Sequence, residues 1–319
     1  MVKFEIKRSM TLQNIAELSP LFQASEQADN YRPLNDHLWL DLRQGGRPGF
    51  AGLIARNPDS QDPIAYCQIS RGNGSWAIYL VIAPKFRSQT HELGNELLTN
   101  AVQIIASERG GHVDWWVPSP TPEHNKLAEE LNFKVGRRLL QMRVALPLAK
   151  DVITATKIVS THSFQVGTDE DAWIAVNNRA FSSHPEQGGF TREVLQDRQT
   201  EKWFNPQGFL LHFTEDSKQL DAFCWTKIDD QGAAAERTGE IYVIAVDPRF
   251  QGQGLGRSLT VAGLQYLTSA GATTGMLFVD QDNAAAVATY KKLGFTVHHE
   301  QQAFVGDIAG VSPSKFTTI

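Results

Sequence analysis

Cysteine is nearly absent: the 319-residue chain carries only Cys67 and Cys224, far apart. Two thiols exclude a disulfide framework and a four-thiolate zinc site, and they suit a reducing cytosol. Net basic charge is also missing. Thirty Lys and Arg stand against 35 Asp and Glu, a formal charge of -5 with a pI near 6.0. That balance argues against nucleic-acid binding through a net basic surface and favours a small-molecule ligand. No apolar run approaches the roughly 18 residues of a membrane span. The opening Met1-Val2-Lys3-Phe4-Glu5-Ile6-Lys7-Arg8 lacks the apolar centre of a signal peptide. The expectation is a cytoplasmic protein with no nucleic-acid or membrane partner.

What is present is enough for two packed cores. Hydrophobic residues make up 41% of the chain, charged residues 20%, and there are seven Trp; the length calls for two units of roughly 150 residues. An internal echo supports this division. Ile78-Tyr79-Leu80-Val81-Ile82-Ala83-Pro84 resembles Tyr242-Val243-Ile244-Ala245-Val246-Asp247-Pro248, each a strand that ends at proline. Later, Leu131-Asn132-Phe133 echoes Leu293-Gly294-Phe295 in the same order. Between these landmarks, residues 92–109 and 257–271 carry apolar residues at helical spacing, and 283–293 reads as a second helix. With a cut near Leu148 to Ile153, the domains are 1–149 and 152–319. Each reads as an α/β (α+β) domain with a mixed sheet.

Val246-Asp247-Pro248-Arg249-Phe250-Gln251-Gly252-Gln253-Gly254-Leu255-Gly256-Arg257 places three glycines between a buried strand and a helix start. Glycine permits positive φ and close backbone approach, and a helix N-terminus adds partial positive charge, so the string suits a pyrophosphate. A tight strand-to-helix turn is the alternative. A Rossmann loop needs G-x-G-x-x-G and a later acidic residue, and a Walker loop ends in Gly-Lys-Ser/Thr; neither pattern is here. Gln251 to Gly256 instead resembles the Gln/Arg-x-x-Gly-x-Gly/Ala signature of the GCN5-related N-acetyltransferase (GNAT) superfamily. Asn283 at a helix start and Tyr290 near that helix's end fit the same superfamily.

The resemblance implies acetyl-CoA as cosubstrate, no metal, and two such domains in tandem. Cosubstrate contacts then fall on the strand positions Ile244, Ala245 and Val246, on the loop residues Gln251, Gly252, Gln253, Gly254, Leu255, Gly256 and Arg257, and on Asn283, Ala284, Ala285, Ala286, Val287 and Ala288. The chemistry needs a base for the attacking amine and an acid for the departing thiolate. Glu240 is the candidate base, through one water, and Tyr290 the candidate acid. In the first half, Trp76 stands at the place of Glu240, Ser88-Gln89-Thr90-His91-Glu92-Leu93 at the glycine loop and Ala128 at Tyr290. The first domain is therefore expected to be degenerate and non-catalytic. It either keeps a weakened acetyl-CoA cleft at Leu80, Val81 and Ile82 or walls its partner's substrate pocket.

A narrower resemblance covers essentially the whole chain. Val176 to Phe190 with its His184-Pro185-Glu186-Gln187-Gly188-Gly189 run, Phe223-Cys224-Trp225-Thr226-Lys227, Gln141-Met142-Arg143, Trp203-Phe204-Asn205-Pro206 and Gly239 to Val243 are similar to the mycothiol synthase family. That family transfers acetyl from acetyl-CoA to the cysteinyl amine of cysteinyl-glucosaminyl-inositol. Carried over, its acceptor-binding positions are Asp36, Glu186, Lys227, Glu240 and Phe278, and the implied oligomeric state is a monomer. Phe278 departs from the tyrosine common in the family, which removes a hydroxyl contact. The 88–93 segment departs by lacking glycines. Two other readings stay open: a tandem acetyltransferase for another small amine or a protein N-terminus, and a non-catalytic acetyl-CoA-binding module.

Overall fold

A computed structural model describes residues 2–34, 36–43, 48–72, 74–182, 187–214, 219–228 and 237–311. Two compact units emerge, Met1–Arg137 with Gln301–Ile319, and Arg138–Glu300. The first unit runs β1 (Lys3–Lys7), α1 (Leu12–Asp29), α2 (Asp36–Arg43), β2 (Ala51–Arg56), β3 (Pro63–Arg71), β4 (Trp76–Ile82), a 3-10 turn (Pro84–Gln89), α3 (Thr90–Ser107), β5 (Gly110–Pro118) and α4 (Pro122–Glu130). After β6 (Lys134–Ala145) come α5 (Lys150–Thr154), β7 (His162–Ser163), α6 (Glu170–Ala180), α7 (Arg192–Gln199), β8 (Phe209–Phe213), β9 (Leu220–Ile228), β10 (Thr238–Val246), α8 (Leu255–Ser269), β11 (Thr274–Asp280), α9 (Ala284–Lys292) and β12 (Thr296–Ala309). The helices read at 92–109 and 257–271 both start two residues earlier than expected, at Thr90 and Leu255.

Both units order their strands in one way. In the first, β1 to β4 are antiparallel neighbours, β4 pairs parallel with β5, and β5 pairs antiparallel with Gln301–Ala309 of β12. In the second, β7 to β10 are antiparallel neighbours, β10 pairs parallel with β11, and β11 pairs antiparallel with Leu139–Ala145 of β6. The mixed sheet read from the sequence is therefore observed, with one parallel pair per unit. The units do not follow the cut expected near residue 150. By chain order β6 closes the first half and β12 the second, yet each completes the sheet of the other half. Alternating apolar residues from Leu139 to Ala145 mark a strand but do not say which neighbour's edge it covers, and β12, polar from His298 to Gln302 and apolar from Ala303 to Val305, has no such alternation.

Helix ends follow local chemistry. Asn132 (φ 57°) and Gly294 (φ 93°) follow α4 and α9 in the left-handed conformation, the stop that glycine, or failing that asparagine, allows most cheaply. One sheet face of each unit packs on a helix around a buried core, α3 in the first unit and α8 in the second. Trp76, Ile78, Leu97 and Trp115 lie in the first, and Cys224, Ile241, Leu264 and Leu277 in the second. On the opposite face of the second unit, Trp173 of α6 packs edge-on against Phe209, Phe223 and Trp225. Phe209 and Trp225 stack at 4.4 Å. Among the described residues no helix is long and apolar enough to cross a membrane.

Candidate active site

The parallel pairing of β10 with β11 runs only from Thr238↔Thr274 to Ile241↔Leu277, although both strands continue, to Val246 and Asp280. The register of β10 on β9 shifts between Ile241 and Val243, so Tyr242 is the extra residue of a β-bulge. Bulges bend a strand and raise its twist, and β10 and β11 part directly beyond this one. Beyond it, β10 runs on to Val246 without a β11 partner strand, and Val246 O accepts from Gln251 Nε2 at 3.3 Å. A strand edge that continues past its neighbour binds an extended amide chain as a further strand does. Ile244, Ala245 and Val246 all lie past the last β11 pair.

Past the strand, Asp247 is fully buried and accepts hydrogen bonds from Arg249 Nε (2.9 Å) and Nη2 (2.8 Å) and from Arg179 Nε (2.9 Å) and Nη2 (2.7 Å). Arg249 foremost, with Arg179, holds the carboxyl well below the usual carboxylate range. This ionic knot ties α6 to the strand end and fixes where the glycine loop begins. Gly252 (φ 79°) and Gly254 (φ 84°) are left-handed, and a Cβ on either would meet nothing within 4 Å. Their requirement is thus conformational, with open space above the loop. Gly254 is the N-cap of α8 and provides no side-chain cap. The amides of the first turn therefore point outward unpaired, with the helix dipole behind them, an arrangement suited to a pyrophosphate. Arg257 sits beside them, its Nε donating to Thr156 Oγ1 at 3.0 Å.

Along α9, Asn283 Oδ1 accepts from the N–H of Ala286 at 3.1 Å, so this side chain caps the helix. Ala284, Val287, Ala288 and Lys291 line a cavity of about 450 Å³; Ala285 is exposed and Ala286 half-buried. At the other end of α9, Tyr290 is 8% exposed and packs near Phe295. Burial, with Cys224 nearby, pushes its phenol up to about 12, so at neutral pH the hydroxyl is a proton donor.

The faces of the sheet separate the chemistry. Gly239, Ile241, Ile244, Leu277 and Val279 look toward α8, and Tyr290 belongs to that side. Glu240, Lys227 and Phe278 look the other way. Glu240 and Lys227 are direct cross-strand partners. Lys227 is 5% exposed and its Nζ lies 5.1 Å from the Trp203 ring centroid, a cation–π distance. Trp203 in turn packs against Tyr242 and Trp225. The parted strands thus have a carboxylate on one face and a phenol on the other. Asp36 opens α2, with its side chain outside the described residues, and Glu186 lies outside them altogether. Sequence reasoning missed Trp203 as a neighbour of Lys227; it stood in a quoted string, but nothing in its spacing shows the cation–π contact.

The first unit shows the same place without these features. Leu80, Val81 and Ile82 also extend past the end of their parallel pairing, at Tyr79↔Trp116. The β3–β4 register is continuous from Arg71↔Trp76 to Ala65↔Ile82, with no bulge. Pro84–Gln89 forms a 3-10 turn, no residue from Pro84 to Leu93 has positive φ, and Thr90 Oγ1 donates to Arg87 O at 2.7 Å. Trp76 is 1% exposed, and its Nε1 donates to Gly110 O at 3.1 Å.

The acetyltransferase (GNAT) family pattern matches residues 173–295. Two solved structures share the fold across 98% of this chain at a TM-score of 0.71. One is a GCN5-related N-acetyltransferase from Sphaerobacter thermophilus, 21% identical with 98% of its chain covered. The other is a tandem GNAT protein from the clavulanic acid biosynthesis pathway, 13% identical with 100% covered. Among curated relatives, the mycothiol acetyltransferase of Acidothermus cellulolyticus is 39% identical over 84% of this chain and 83% of its own. That of Thermobispora bispora is 39% identical over 86% and 90%. Similarity of this extent, together with a GNAT loop and strand parting in the matched region, shows that the chain belongs to the mycothiol acetyltransferase family.

Proposed function

We propose that the chain transfers the acetyl group of acetyl-CoA to the cysteinyl amine of cysteinyl-glucosaminyl-inositol, giving mycothiol and CoA. The observation that carries this reading is the opening between β10 and β11, flanked by Glu240 and Tyr290 and continued by the uncapped start of α8. The loop 251–257 takes the pyrophosphate of acetyl-CoA. The free edge of Ile244 to Val246 takes its amide arm and the thioester carbonyl, and the start of α9, residues 283–288, borders the same arm. Glu240 draws a proton from the ammonium through a water, leaving the amine lone pair free to attack the thioester carbon. Strand amides stabilise the oxyanion that forms. As the carbon–sulfur bond breaks, the nitrogen releases its second proton to solvent, and the Tyr290 hydroxyl protonates the thiolate and is reprotonated from that solvent.

Lys227, Glu240 and Phe278 form the acceptor wall of this unit, and Asp36 and Glu186 complete the acceptor contacts. Carboxylates match the ammonium and hydroxyl groups of an aminosugar conjugate. We assign catalysis to Arg138–Glu300 and read Met1–Arg137 with the C-terminal strand as a diverged copy without transferase chemistry. With no phosphate cradle in that copy, Leu80 to Ile82 provide at most a weak cleft, and one acetyl-CoA is expected per chain by calorimetry. A cytoplasmic monomer is the setting of the proposal. Mass spectrometry of the products from acetyl-CoA and cysteinyl-glucosaminyl-inositol tests the activity. One acetyl on the amine supports it; bound acetyl-CoA with no product turns the reading to a different amine.

A further inference from the structure

Gln141 plays no part in the chemistry above, yet it is the least explained polar group near it. It lies in the middle of β6, is 5% exposed, and its Oε1 is buried with no hydrogen-bond partner. Buried carbonyls without a donor are rare, and each one calls for a reason. The register of the sheet supplies one. Leu140 and Met142 point into the core beneath α8, so Gln141 and Arg143 face the other side. Across that side, Lys227, Glu240, Met276 and Arg143 stand in one row through the pairings of β9, β10, β11 and β6. Gln141 stands one row further along, directly opposite Phe278.

Phe278 has no hydroxyl to donate, so the closest cross-strand side chain leaves Gln141 Oε1 unsatisfied. From strand spacing and rise, Gln141 is roughly 12 Å from Glu240 along this face. If Glu240 receives the amine, a group at that distance meets the two six-membered rings of the acceptor. Their hydroxyls are the donors Oε1 lacks. We propose that Gln141 is a specificity-determining residue that accepts a hydrogen bond from a ring hydroxyl of the acceptor. This rests on the activity proposed above.

The test is steady-state kinetics of wild type and Gln141→Met, a swap that keeps volume and removes the acceptor oxygen. Expected are an acceptor KM raised about tenfold, the worth of one lost hydrogen bond, a kcat within twofold, an unchanged KM for acetyl-CoA, and a Tm no lower than wild type. A buried carbonyl that only filled space would leave the acceptor KM alone. Monodeoxy acceptors supply a reading that needs no variant. The analogue missing the bonded hydroxyl loses about tenfold on wild type and nothing further on Gln141→Met. Active wild type with the same acceptor KM in both proteins overturns the assignment alone. So does a fall in Tm accompanied by equal rises in both KM values. Wild type that does not acetylate this acceptor overturns the activity reading, and the role of Gln141 with it.

Discussion

Gly254→Ala separates a backbone requirement from a packing one. The residue holds φ at 84° as the N-cap of α8, and an added Cβ meets nothing within 4 Å. The substitution therefore costs only the left-handed backbone, about 1 to 2 kcal/mol. If the backbone relaxes to a negative φ, the amides of the first turn lose their common focus. A hydrogen bond from an amide to a phosphate is charge-assisted, about 1.5 to 3 kcal/mol. Losing one weakens acetyl-CoA binding roughly 10- to 100-fold. Gly256→Ala is the control. Gly256 has no positive φ, and its Cβ would meet only Val246 Cγ2, at 3.9 Å, so affinity and stability should stay at wild-type values. This also explains why the signature accepts Gly or Ala there. Titration calorimetry with acetyl-CoA and thermal unfolding read both variants. A Kd for Gly254→Ala within twofold of wild type, or an equal loss in Gly256→Ala, refutes the reasoning.

Glu240→Gln should lower kcat by about 100-fold or more while the calorimetric Kd for acetyl-CoA stays constant; equal turnover removes the base role. Tyr290→Phe should slow the step in which the thiolate leaves, with wild-type turnover showing no loss from tyrosine ionisation until pH approaches 12. Because the folded phenol holds its proton more tightly than an unfolded one near 10, its contribution to stability is complete below pH 10. It is lost as pH rises toward 12, and urea titrations should show that loss in wild type but not in Tyr290→Phe. Phe304→Ala, in the part of β12 that pairs with β5 beside Trp115, should cost about 3 to 5 kcal/mol. Hydrogen exchange should place the loss in β4 and β5, not in the glycine loop. Trp76→Glu should destabilise the first unit by a similar amount, measured by urea unfolding, without adding a second active site; increased acetyl transfer by this variant would contradict the face assignment below.

Much of this was legible because the chemistry sits in short strings. The strand ending at Pro248, the glycines at 252, 254 and 256 and the helix carrying Tyr290 fall where the pattern of residues puts them. The domain cut was not legible. Leu139 to Ala145 alternates properly for a strand, but alternation says which face is buried and nothing about which edge is covered, and β12 with its polar run from His298 to Gln302 lacks even that signal. The bulge was hidden for a related reason. From Ile241 to Val246 every residue is apolar, so an inserted residue leaves no break in the pattern. Gln141 was quoted only for its resemblance, since burial of a single amide depends on strands far away in sequence.

The bulge at Tyr242 explains why two similar strands do different work. Matched at Pro84 and Pro248, Leu80 and Ile82 correspond to Ile244 and Val246, and all four side chains lie on the face packed against α3 in the first unit and α8 in the second. One turn of the pleat earlier the copies part company. In the first unit the register is unbroken, so Ile78 and Trp76 stay on the helix face, and Trp76 is sealed in the core. In the second unit the extra residue reverses the alternation, which carries Glu240 to the opposite face, beside Lys227 and in a row with Met276 and Arg143. A glutamate at the matched position of the first unit would be a carboxylate in an apolar core, where the charged form is strongly disfavoured. Which face a glutamate at this position reaches is therefore decided by strand register before it is decided by residue type, whereas the strand edge past the last parallel pair is exposed by its neighbour's parting in both units, with the bulge and without it.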